Sequence, residues 1–427
     1  MNAMSARPGV DDPAAGFDDP AAGLDALLRD GSLHCHYQPF VDLDSGAVMA
    51  HEALLRGPAG TPWASPLVLL DAARATGRLA DLERASLRAS LADAAAFSGG
   101  HAVTLFVNLE PSTLTRHLDV VLETLAERAA HVQVVVEITE RALAADLAGI
   151  LTGAERLRAA GCAIALDDVG AEPESLAFIP LLRPEVVKLD LSLLRTVKDP
   201  MTIAVAGAVR AYAEQAGAEV VAEGIETPED LTRALVLGAT LGQGWLWGRG
   251  ERRFTPPVFR PERFTARAIG AALRATPYGL IGHQRRVRHA PKHLLIPLSR
   301  TLELMARQAA VPPIVLGAFE HARYFRPSTV RDYTELAARL PFVGALGVDM
   351  PAAPAPGVRG AALSVMDPLA TEWTVVVLGA HTCGALMARD LGDSGADADR
   401  QFEFVVTYDR ALVTAAAHSL VGRLTTG

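Results

Sequence analysis

The chain carries a series of short apolar runs, and each run has a polar residue at or near its downstream end. Runs of four or five apolar, mostly β-branched residues are typical of buried parallel strands. In a (β/α)8 barrel the carboxyl ends of the strands all meet at one mouth. The polar residues at the ends of six runs are Glu52, Asn108, Glu137, the pair Asp167 and Asp168, Lys188, and Glu223. Oxygen ligands from five strand ends, with a lysine from a sixth, predict a site that holds hard cations and acts on an anion.

Amphipathic helical segments lie between these runs. They fall at residues 66–78, 81–97, 118–130, 143–160, 200–215 and 228–237. Strand followed by helix, repeated many times, predicts a parallel sheet with helical crossovers, and this number of repeats fits a closed barrel. The fold class predicted for residues 24–255 is therefore α/β, a TIM-like (β/α)8 barrel.

The length of 427 residues fits two domains of ordinary size. A formal net charge of −9 argues against a general nucleic-acid binder, because binding to a phosphate backbone needs a basic surface. The three cysteines, Cys35, Cys162 and Cys383, are too few and too far apart for a disulfide framework. The sequence contains neither a secretory signal nor an apolar stretch long enough to span a membrane. We therefore expect a soluble cytoplasmic protein with no membrane partner.

Composition shifts along the chain suggest its domain boundaries. Residues 1–23 contain the sequence AspAspProAlaAlaGly twice and lack a periodic apolar face, which predicts a disordered acidic leader. Residues 256–280, rich in proline and arginine, are predicted to link two domains, with one helix over 261–274. Residues 281–427 are predicted to form a second α/β domain. Its helices are expected at 297–309, 328–339 and 410–423, and its strands at 313–318, 343–348, 373–378 and 402–407.

Eight short motifs occur in the order that marks the EAL-domain cyclic-di-GMP phosphodiesterases. The motifs begin at Tyr37, Glu52, Phe106, Glu137, Asp167, Val187, Glu223 and Gln243. The resemblance covers roughly residues 25–255, and it implies the same barrel fold. In the second domain, segments at 312–316, 319–325, 367–369, 372–379 and 404–409 resemble the DICT domain, a sensory module found beside cyclic-di-GMP enzymes.

The EAL resemblance implies a role for each site residue. Glu52, Asn108, Glu137 and Asp167 would ligate a first divalent metal, Asp167 would bridge to a second, and Asp168 would belong to the second metal. Glu223 resembles the general base, and Lys188 would hydrogen-bond the attacking water or a phosphate oxygen. Asp190, on the same strand face, is expected to orient Lys188. Residues expected to contact the nucleotide are Gln38, Leu54, Arg56, Asp190 and Gln243, and those expected to hold the loop after Asp168 are Glu140 and Glu226.

The resemblance also implies cofactors and partners. Two divalent cations, Mg²⁺ or Mn²⁺, would support hydrolysis of cyclic di-GMP to linear pGpG, and Ca²⁺ is expected to inhibit it because calcium prefers looser coordination. A homodimer through the barrel is expected. The C-terminal domain is expected to regulate the barrel, and no nucleic-acid polymer is expected as a partner.

The loop after Asp168 departs from the family. The family commonly has AspAspPheGlyThrGlyTyrSerSer, whereas this chain has AspAspValGlyAlaGluProGluSer from Asp167 to Ser175. Both aromatic residues are lost, and Glu172, Pro173 and Glu174 are gained. We predict that this loop packs at a dimer interface or against residues 281–427. A second hypothesis is therefore a catalytically slow or silent receptor for cyclic di-GMP. A pure scaffold is disfavoured, because it would need neither Lys188 nor Glu223.

Overall fold

The computed structural model describes residues 20–97, 101–170, 173–267, 275–281 and 285–424. Most of the predicted leader lies outside these ranges. Its last residues are helical, because the first helix begins at Pro20 and buries Gly23 and Leu24. The helix therefore includes residues 20–23, which the sequence had assigned to the leader.

The N-terminal half of the chain forms a closed eight-stranded barrel, in which strands that follow one another in sequence are also neighbours in space. The strands are β1 (His34–Asp42), β2 (Val48–Arg56), β3 (Val103–Asn108), β4 (Val132–Thr139), β5 (Ala163–Val169), β6 (Val186–Leu189), β7 (Glu219–Ala222) and β8 (Leu241–Gly242). The surrounding helices are α1 (Pro20–Asp30), α2 (Pro66–Ala75), α3 (Leu79–Phe97), α4 (Pro111–Arg116), α5 (Leu118–Ala126), α6 (Glu140–Ala145), α7 (Leu147–Ala159), α8 (Ile179–Leu182), α9 (Leu191–Arg195), α10 (Pro200–Ala216) and α11 (Pro228–Leu237). The predicted barrel is confirmed.

One strand of the barrel runs against the others. β1 pairs antiparallel with both β2 and β8, whereas the remaining neighbours are parallel. A short turn at residues 43–47 joins β1 to β2, with Gly46 at a φ of 71°. A turn this short can connect only antiparallel strands, because a parallel pair needs a crossover of a dozen or more residues. The prediction of a uniformly parallel sheet was wrong for β1.

Residues just beyond the barrel close its floor. Phe264, in a 3₁₀ turn over Pro261–Phe264, enters the barrel interior and meets the ring of Phe106 at 5.5 Å between centroids. Arg263 forms ion pairs with Asp42 and Glu219, each at 2.6 Å. Residues 256–264 therefore belong to the barrel rather than to a free linker. The predicted helix over 261–274 is present only as this 3₁₀ turn within the described residues, since 268–274 lie outside them.

The second domain is built on a seven-stranded sheet with the order β12-β11-β10-β13-β14-β15-β9. Its strands are β9 (Arg288–Pro291), β10 (Ile314–His321), β11 (Val343–Val348), β12 (Arg359–Leu363), β13 (Glu372–Leu378), β14 (Cys383–Asp390) and β15 (Gln401–Thr407). Its helices are α12 (Lys292–Gln308), α13 (Pro327–Ala337) and α14 (Arg410–Val421). All the predicted helices and strands of this domain are present, and β9, β12 and β14 are additional.

The two faces of this sheet have different neighbours. Residues of α12 and α13 pack on one face in a core of their own. Residues of α14 pack on the other face, in a core that continues into the outer layer of the barrel. There α14 contacts α8, which follows β5 in the chain. None of the described helices combines the length and apolarity needed to cross a membrane.

Candidate active site

A lysine lies at the centre of the barrel mouth. Lys188, near the end of β6, is 1% exposed. Its ammonium nitrogen is 2.7 Å from Glu223 Oε1, 2.8 Å from Glu137 Oε1, 3.1 Å from Asp167 Oδ1 and 3.8 Å from Glu52 Oε2. Because Glu52, Glu137 and Asp167 lie on β2, β4 and β5 and Glu223 directly follows β7, the structure brings together strand ends that are far apart in sequence, as the sequence predicted.

Two amide side chains hold Glu52 in place. Asn108, at the end of β3, donates a hydrogen bond from Nδ2 to Glu52 Oε1 at 2.9 Å. Gln243, just after β8, donates from Nε2 to Glu52 Oε2 at 2.7 Å. Gln243 is buried, and its amide orients a predicted metal ligand. The direct nucleotide contact that the sequence suggested for Gln243 stays a prediction.

A backbone irregularity places two adjacent carboxylates at the mouth. The pairing of β5 with β6 shifts register between Leu166 and Val169, and Asp168 adopts a φ of 59°. A left-handed conformation is strained for a residue other than glycine and is commonly found at functional sites. One carboxylate oxygen each from Asp167, Asp168 and Glu223 lie within 4.8 Å of one another. These three acids therefore surround a space of the size of a cation.

The acids at the mouth carry more negative charge than Lys188 neutralises. Burial, together with the neighbouring Glu52, raises the pKa of Glu137 well above its ordinary value. Burial also raises the pKa of Glu223. For Lys188, burial opposes the charged form, but the nearby carboxylates of Glu137 and Glu223 outweigh burial and raise its pKa. Without further positive charge the buried acids cannot all ionise easily.

The donor set fits divalent cations. Both carboxylate oxygens of Glu137 are buried; Oε1 faces the Lys188 ammonium at 2.8 Å, whereas Oε2 accepts no hydrogen bond from any described residue. A buried acceptor without a donor is rare in folded proteins. The surrounding donors are carboxylate and amide oxygens, which are the ligands that Mg²⁺ and Mn²⁺ prefer. The unsatisfied Oε2 of Glu137 therefore fits a metal ligand.

Comparison with known families decides what this barrel is. Residues 22–250 match the model of the EAL domain, and these residues make up more than half of the chain. The chain belongs to the EAL-domain family. Residues 282–391 match the DICT domain, described as a sensory domain in diguanylate cyclases and two-component systems. EAL domains bind divalent metals, in agreement with the oxygen donors at the mouth.

Several relatives have been named for their activity. Over 229 residues the chain is 31% identical to cyclic di-GMP phosphodiesterase NbdA of Pseudomonas aeruginosa, covering 52% of this chain and 29% of that protein. It is 30% identical to cyclic di-GMP phosphodiesterase RocR of the same organism, covering 52% of this chain and 58% of RocR. A solved complex of Klebsiella pneumoniae BlrP1 with manganese and cyclic di-GMP is similar, with 29% identity, a TM-score of 0.46, and coverage of 51% of this chain and 56% of that one. The chain spans less than two thirds of each of these proteins.

The predicted nucleotide contacts on β2 and β1 lie beside Glu52. Gln38 is the cross-strand partner of Glu52, and Leu54 is the partner of His36. Arg56, at the end of β2, is half-buried and donates from Nη1 to the carbonyl of Leu55 at 2.8 Å. Gln38, Leu54 and Arg56 therefore form one side of the EAL mouth.

The remaining predicted residues have different positions. Glu140 is buried and accepts a hydrogen bond from the Gly170 amide at 3.2 Å, so it holds the start of the loop as predicted. Glu226 is exposed, and its carboxylate makes no hydrogen bond or ion pair in the part of the chain that the structure describes. Asp190 accepts from the Ser192 amide at 2.7 Å and caps α9, instead of orienting Lys188.

The altered loop is described only in part. Glu172 and the side chains of Pro173 and Glu174 lie outside the described residues, so the predicted packing of these acids stays a prediction. The chain resumes in a 3₁₀ helix, Pro173–Phe178, that leads into α8.

Two aromatic features of the EAL barrel were missed by the sequence analysis. The ring of Phe40, on β1, lies 5.8 Å from the Lys188 ammonium and closes the space beneath it. The indole of Trp245 is 55% exposed, and the Arg249 guanidinium stacks 3.9 Å from its centre. The signal for Trp245 was its place two residues after Gln243, in the same predicted motif. Phe40 carries no such signal, because an apolar residue in a strand is ordinarily part of the core.

Proposed function

We propose that this protein is a metal-dependent cyclic di-GMP phosphodiesterase that opens the cyclic dinucleotide to linear pGpG. The observation that carries this proposal is the group of four acids from four strands, all within 3.8 Å of the buried Lys188 ammonium. The names of NbdA and RocR support the same substrate.

The residues that would hold two divalent cations, Mg²⁺ or Mn²⁺, are Glu52, Asn108, Glu137, Asp167 and Asp168. When bound, such cations neutralise charge on a phosphate and lower the pKa of water. Ca²⁺ should compete for the same oxygens but inhibit turnover, because it favours higher and looser coordination.

The chain's own side chains would position the reacting groups. Lys188 is held between Glu137 and Glu223, at 2.8 and 2.7 Å, so its ammonium has little freedom to move. From this position it would donate a hydrogen bond to a phosphate oxygen or to the attacking water. Glu223 would accept the proton of that water as phosphorus gains the new oxygen and the bond to the sugar 3′ oxygen breaks.

The rim of the mouth would bind the nucleotide. Arg56 offers a guanidinium that can bind a phosphate with two hydrogen bonds. The exposed face of Trp245, backed by Arg249, offers a surface on which a guanine could stack. Such local groups are needed because the chain as a whole carries a net charge of −9 and would repel an anionic ligand.

The direct test is to incubate the purified full-length protein with cyclic di-GMP and to separate the products by chromatography. We expect linear pGpG with Mg²⁺ or Mn²⁺, and none with EDTA or Ca²⁺. Product formation that is equally fast in EDTA would contradict the metal-dependent proposal.

A second candidate function is a receptor that binds cyclic di-GMP without cleaving it. The loop sequence from Val169 to Ser175 favours this candidate, because it lacks both aromatic residues of the family pattern and carries Glu172, Pro173 and Glu174 instead. Calorimetric titration with cyclic di-GMP in the presence of Ca²⁺ and of Mg²⁺ distinguishes the two functions. A receptor would bind with either metal and release no pGpG.

Regulation by the sensory domain is the third part of the proposal. His418 of α14 is buried, and burial together with Arg183 and Arg158 of the barrel lowers its pKa to about 4. The contact between α14 and α8 supports regulation of the active site by the sensory domain, because α8 follows β5, the strand that carries Asp167. We expect His418→Ala to change turnover severalfold, and His293→Ala, the same change on the exposed side of α12, to leave it unchanged. Equal turnover in both variants would contradict this coupling.

A homodimer through the barrel also stays a prediction. Light scattering on the purified protein would check it.

A further inference from the structure

The sensory domain contains a cavity of about 190 Å³ under α12 and α13. It lies on the face of the sheet opposite to α14 and the barrel. Aromatic residues and polar side chains meet in it. The residues that matter are Phe319, Tyr324 and Trp373 on the aromatic side, and Ser299, Glu303 and Thr329 on the polar side.

Two buried polar side chains in this cavity lack partners. Ser299 and Glu303 are 6% and 9% exposed, and neither side chain makes a hydrogen bond or ion pair with the residues that the structure describes. They are four residues apart on α12 and therefore lie on the same face of the helix. Burial raises the pKa of Glu303 to about 7. Both side chains line the cavity, where a hydrogen-bonding ligand can supply the partners that the described residues do not.

The positive charges around the cavity are already engaged or point to solvent. Lys292 and Arg326 both bind Asp397, at 2.7 and 2.5 Å. Arg300, the third cation in the lining, is exposed. Glu303 is therefore an acceptor that the protein itself does not satisfy, and it favours an occupant that carries positive charge or donates hydrogen bonds.

The size and the aromatic wall limit the occupant further. Sites for drug-sized ligands measure roughly 300–1,000 Å³, so a cavity of about 190 Å³ holds about one ring. The exposed faces and edges of aromatic rings favour contact with another ring or with a cation. Glu320, at the end of β10, also lines the cavity and has a φ of 58°. Strained residues of this kind cluster at ligand sites.

We propose that this cavity is a ligand site for a small planar ring compound with a cationic N–H group, such as an aromatic amine or amidine. Glu303 accepts hydrogen bonds from the cationic group, Ser299 pairs with it at the side, and Trp373 covers the ring, because Tyr324 is already contacted by Lys292 at 4.1 Å. This site is separate from the EAL mouth and does not depend on the proposed phosphodiesterase activity.

The strand below the cavity also reaches the connection between the domains. Trp373 lines the cavity, and its neighbour Glu372 faces the opposite side of β13. There Glu372 accepts a hydrogen bond from the Tyr278 amide at 3.0 Å. A ligand that displaces Trp373 would therefore act on β13. The same strand binds Tyr278, which lies in the segment between the barrel and the sensory domain.

The test is calorimetric titration of the full-length protein with benzamidine, which carries a ring and a cationic amidine. Benzoate, with the same ring and the opposite charge, serves as the comparison ligand. We expect saturable benzamidine binding with a dissociation constant of roughly 10 μM to 1 mM, and no binding of benzoate. Glu303→Gln should weaken benzamidine binding at least about tenfold, a loss of about 1.4 kcal/mol. The matched control is Glu335→Gln, the same change at an exposed position of α13.

Two further variants test whether benzamidine binds in this cavity rather than elsewhere in the protein. Ser299→Ala should weaken binding severalfold, which covers the case in which Glu303→Gln does not fold. Glu52→Gln at the acidic mouth of the barrel should leave benzamidine binding unchanged. The proposal is overturned if benzamidine does not bind, if benzoate binds as tightly, or if Glu52→Gln rather than the cavity variants abolishes binding.

Discussion

Two groups of charged residues, one in each domain, differ in their balance of charge. At the EAL mouth, Lys188 faces Glu52, Glu137, Asp167 and Glu223. In the DICT domain three cations meet three acids: Arg400 pairs with Glu320 and Asp390, and Lys292 and Arg326 pair with Asp397. The acids of the first group outnumber their cation, whereas the positive and negative charges of the second group balance. A buried group with a surplus of negative or positive charge therefore indicates a binding site. A group whose charges balance indicates a structural role.

The pKa directions show the same difference. Burial raises the pKa of Glu137, and the neighbouring Glu52 raises it further. For Asp397, burial opposes ionisation, but Lys292, Arg400 and Arg326 together outweigh burial and lower its pKa. The carboxyl group of Glu137 lacks sufficient positive charge nearby, whereas the carboxyl group of Asp397 has it.

The largest effect is expected from Glu52→Ala, which removes a predicted metal ligand from the group with surplus charge. Turnover should fall roughly a thousandfold or more, on the order of 4 kcal/mol in the barrier. The unfolding free energy of the metal-free protein should change by less than about 1 kcal/mol, because relief of repulsion offsets lost hydrogen bonds. Steady-state kinetics and urea unfolding measure the two quantities. Turnover near the parent rate would remove Glu52 from the metal site.

Glu223→Gln keeps the size of the side chain but removes its basicity. We expect kcat to fall roughly 10²–10⁴-fold, while affinity for cyclic di-GMP changes little. Glu229→Gln, at an exposed position in the first turn of α11, is the matched control and should retain the parent rate. If rate and affinity fall equally in Glu223→Gln, this residue is not the base.

Arg400→Met tests the balanced group. It would leave Glu320 and Asp390 without their common cation, and breaking a buried pair in this way should lower the unfolding free energy by about 3 kcal/mol. Arg300→Met, at an exposed position, should change it by no more than about 0.5 kcal/mol. Urea unfolding followed by circular dichroism compares the two variants. Equal stability of both would mean that the ion pairs of Arg400 contribute little.

The smallest effect concerns metal addition. A cation at about 100 times its dissociation constant stabilises the state that binds it by about 2.7 kcal/mol. We expect Mn²⁺ to raise the melting temperature of the parent protein and to have a much weaker effect on Glu52→Ala. A parent protein whose melting temperature does not respond to Mn²⁺ would contradict the difference drawn between the two groups.

Strands with strong apolar patterns were predictable, and weak ones were not. Glu372–Leu378 contains three consecutive valines and was recognised. Arg359–Leu363 and Cys383–Asp390 consist largely of alanine, glycine and charged residues, which have low strand propensity, and their pairing depends on neighbouring strands. The antiparallel direction of β1 was also missed, because an apolar pattern does not reveal the direction of a strand.

The site was predictable where strand ends determine position. Glu137, Asp167 and Lys188 converge because parallel strands in a closed barrel must bring their carboxyl ends together. The partners of loop residues were less predictable. Gln243 binds Glu52, Asp190 caps its own helix, and Glu226 faces solvent, since backbone conformation after the strand decides where such side chains point.

The position of Phe264 has a practical consequence for exchanging sensory domains between proteins of this family. Sequence similarity to the EAL domain ends at residue 250, yet the ring that fills the barrel below Phe106 comes from residue 264. In a chimera joined at residue 250, the residue that fills the barrel floor would therefore come from the protein that donates the sensory domain, not from the protein that donates the barrel. Losing the ring altogether would cost about 3–5 kcal/mol. A junction placed after Arg267, whose amide binds Glu185 at 2.9 Å, keeps each module with its own interior.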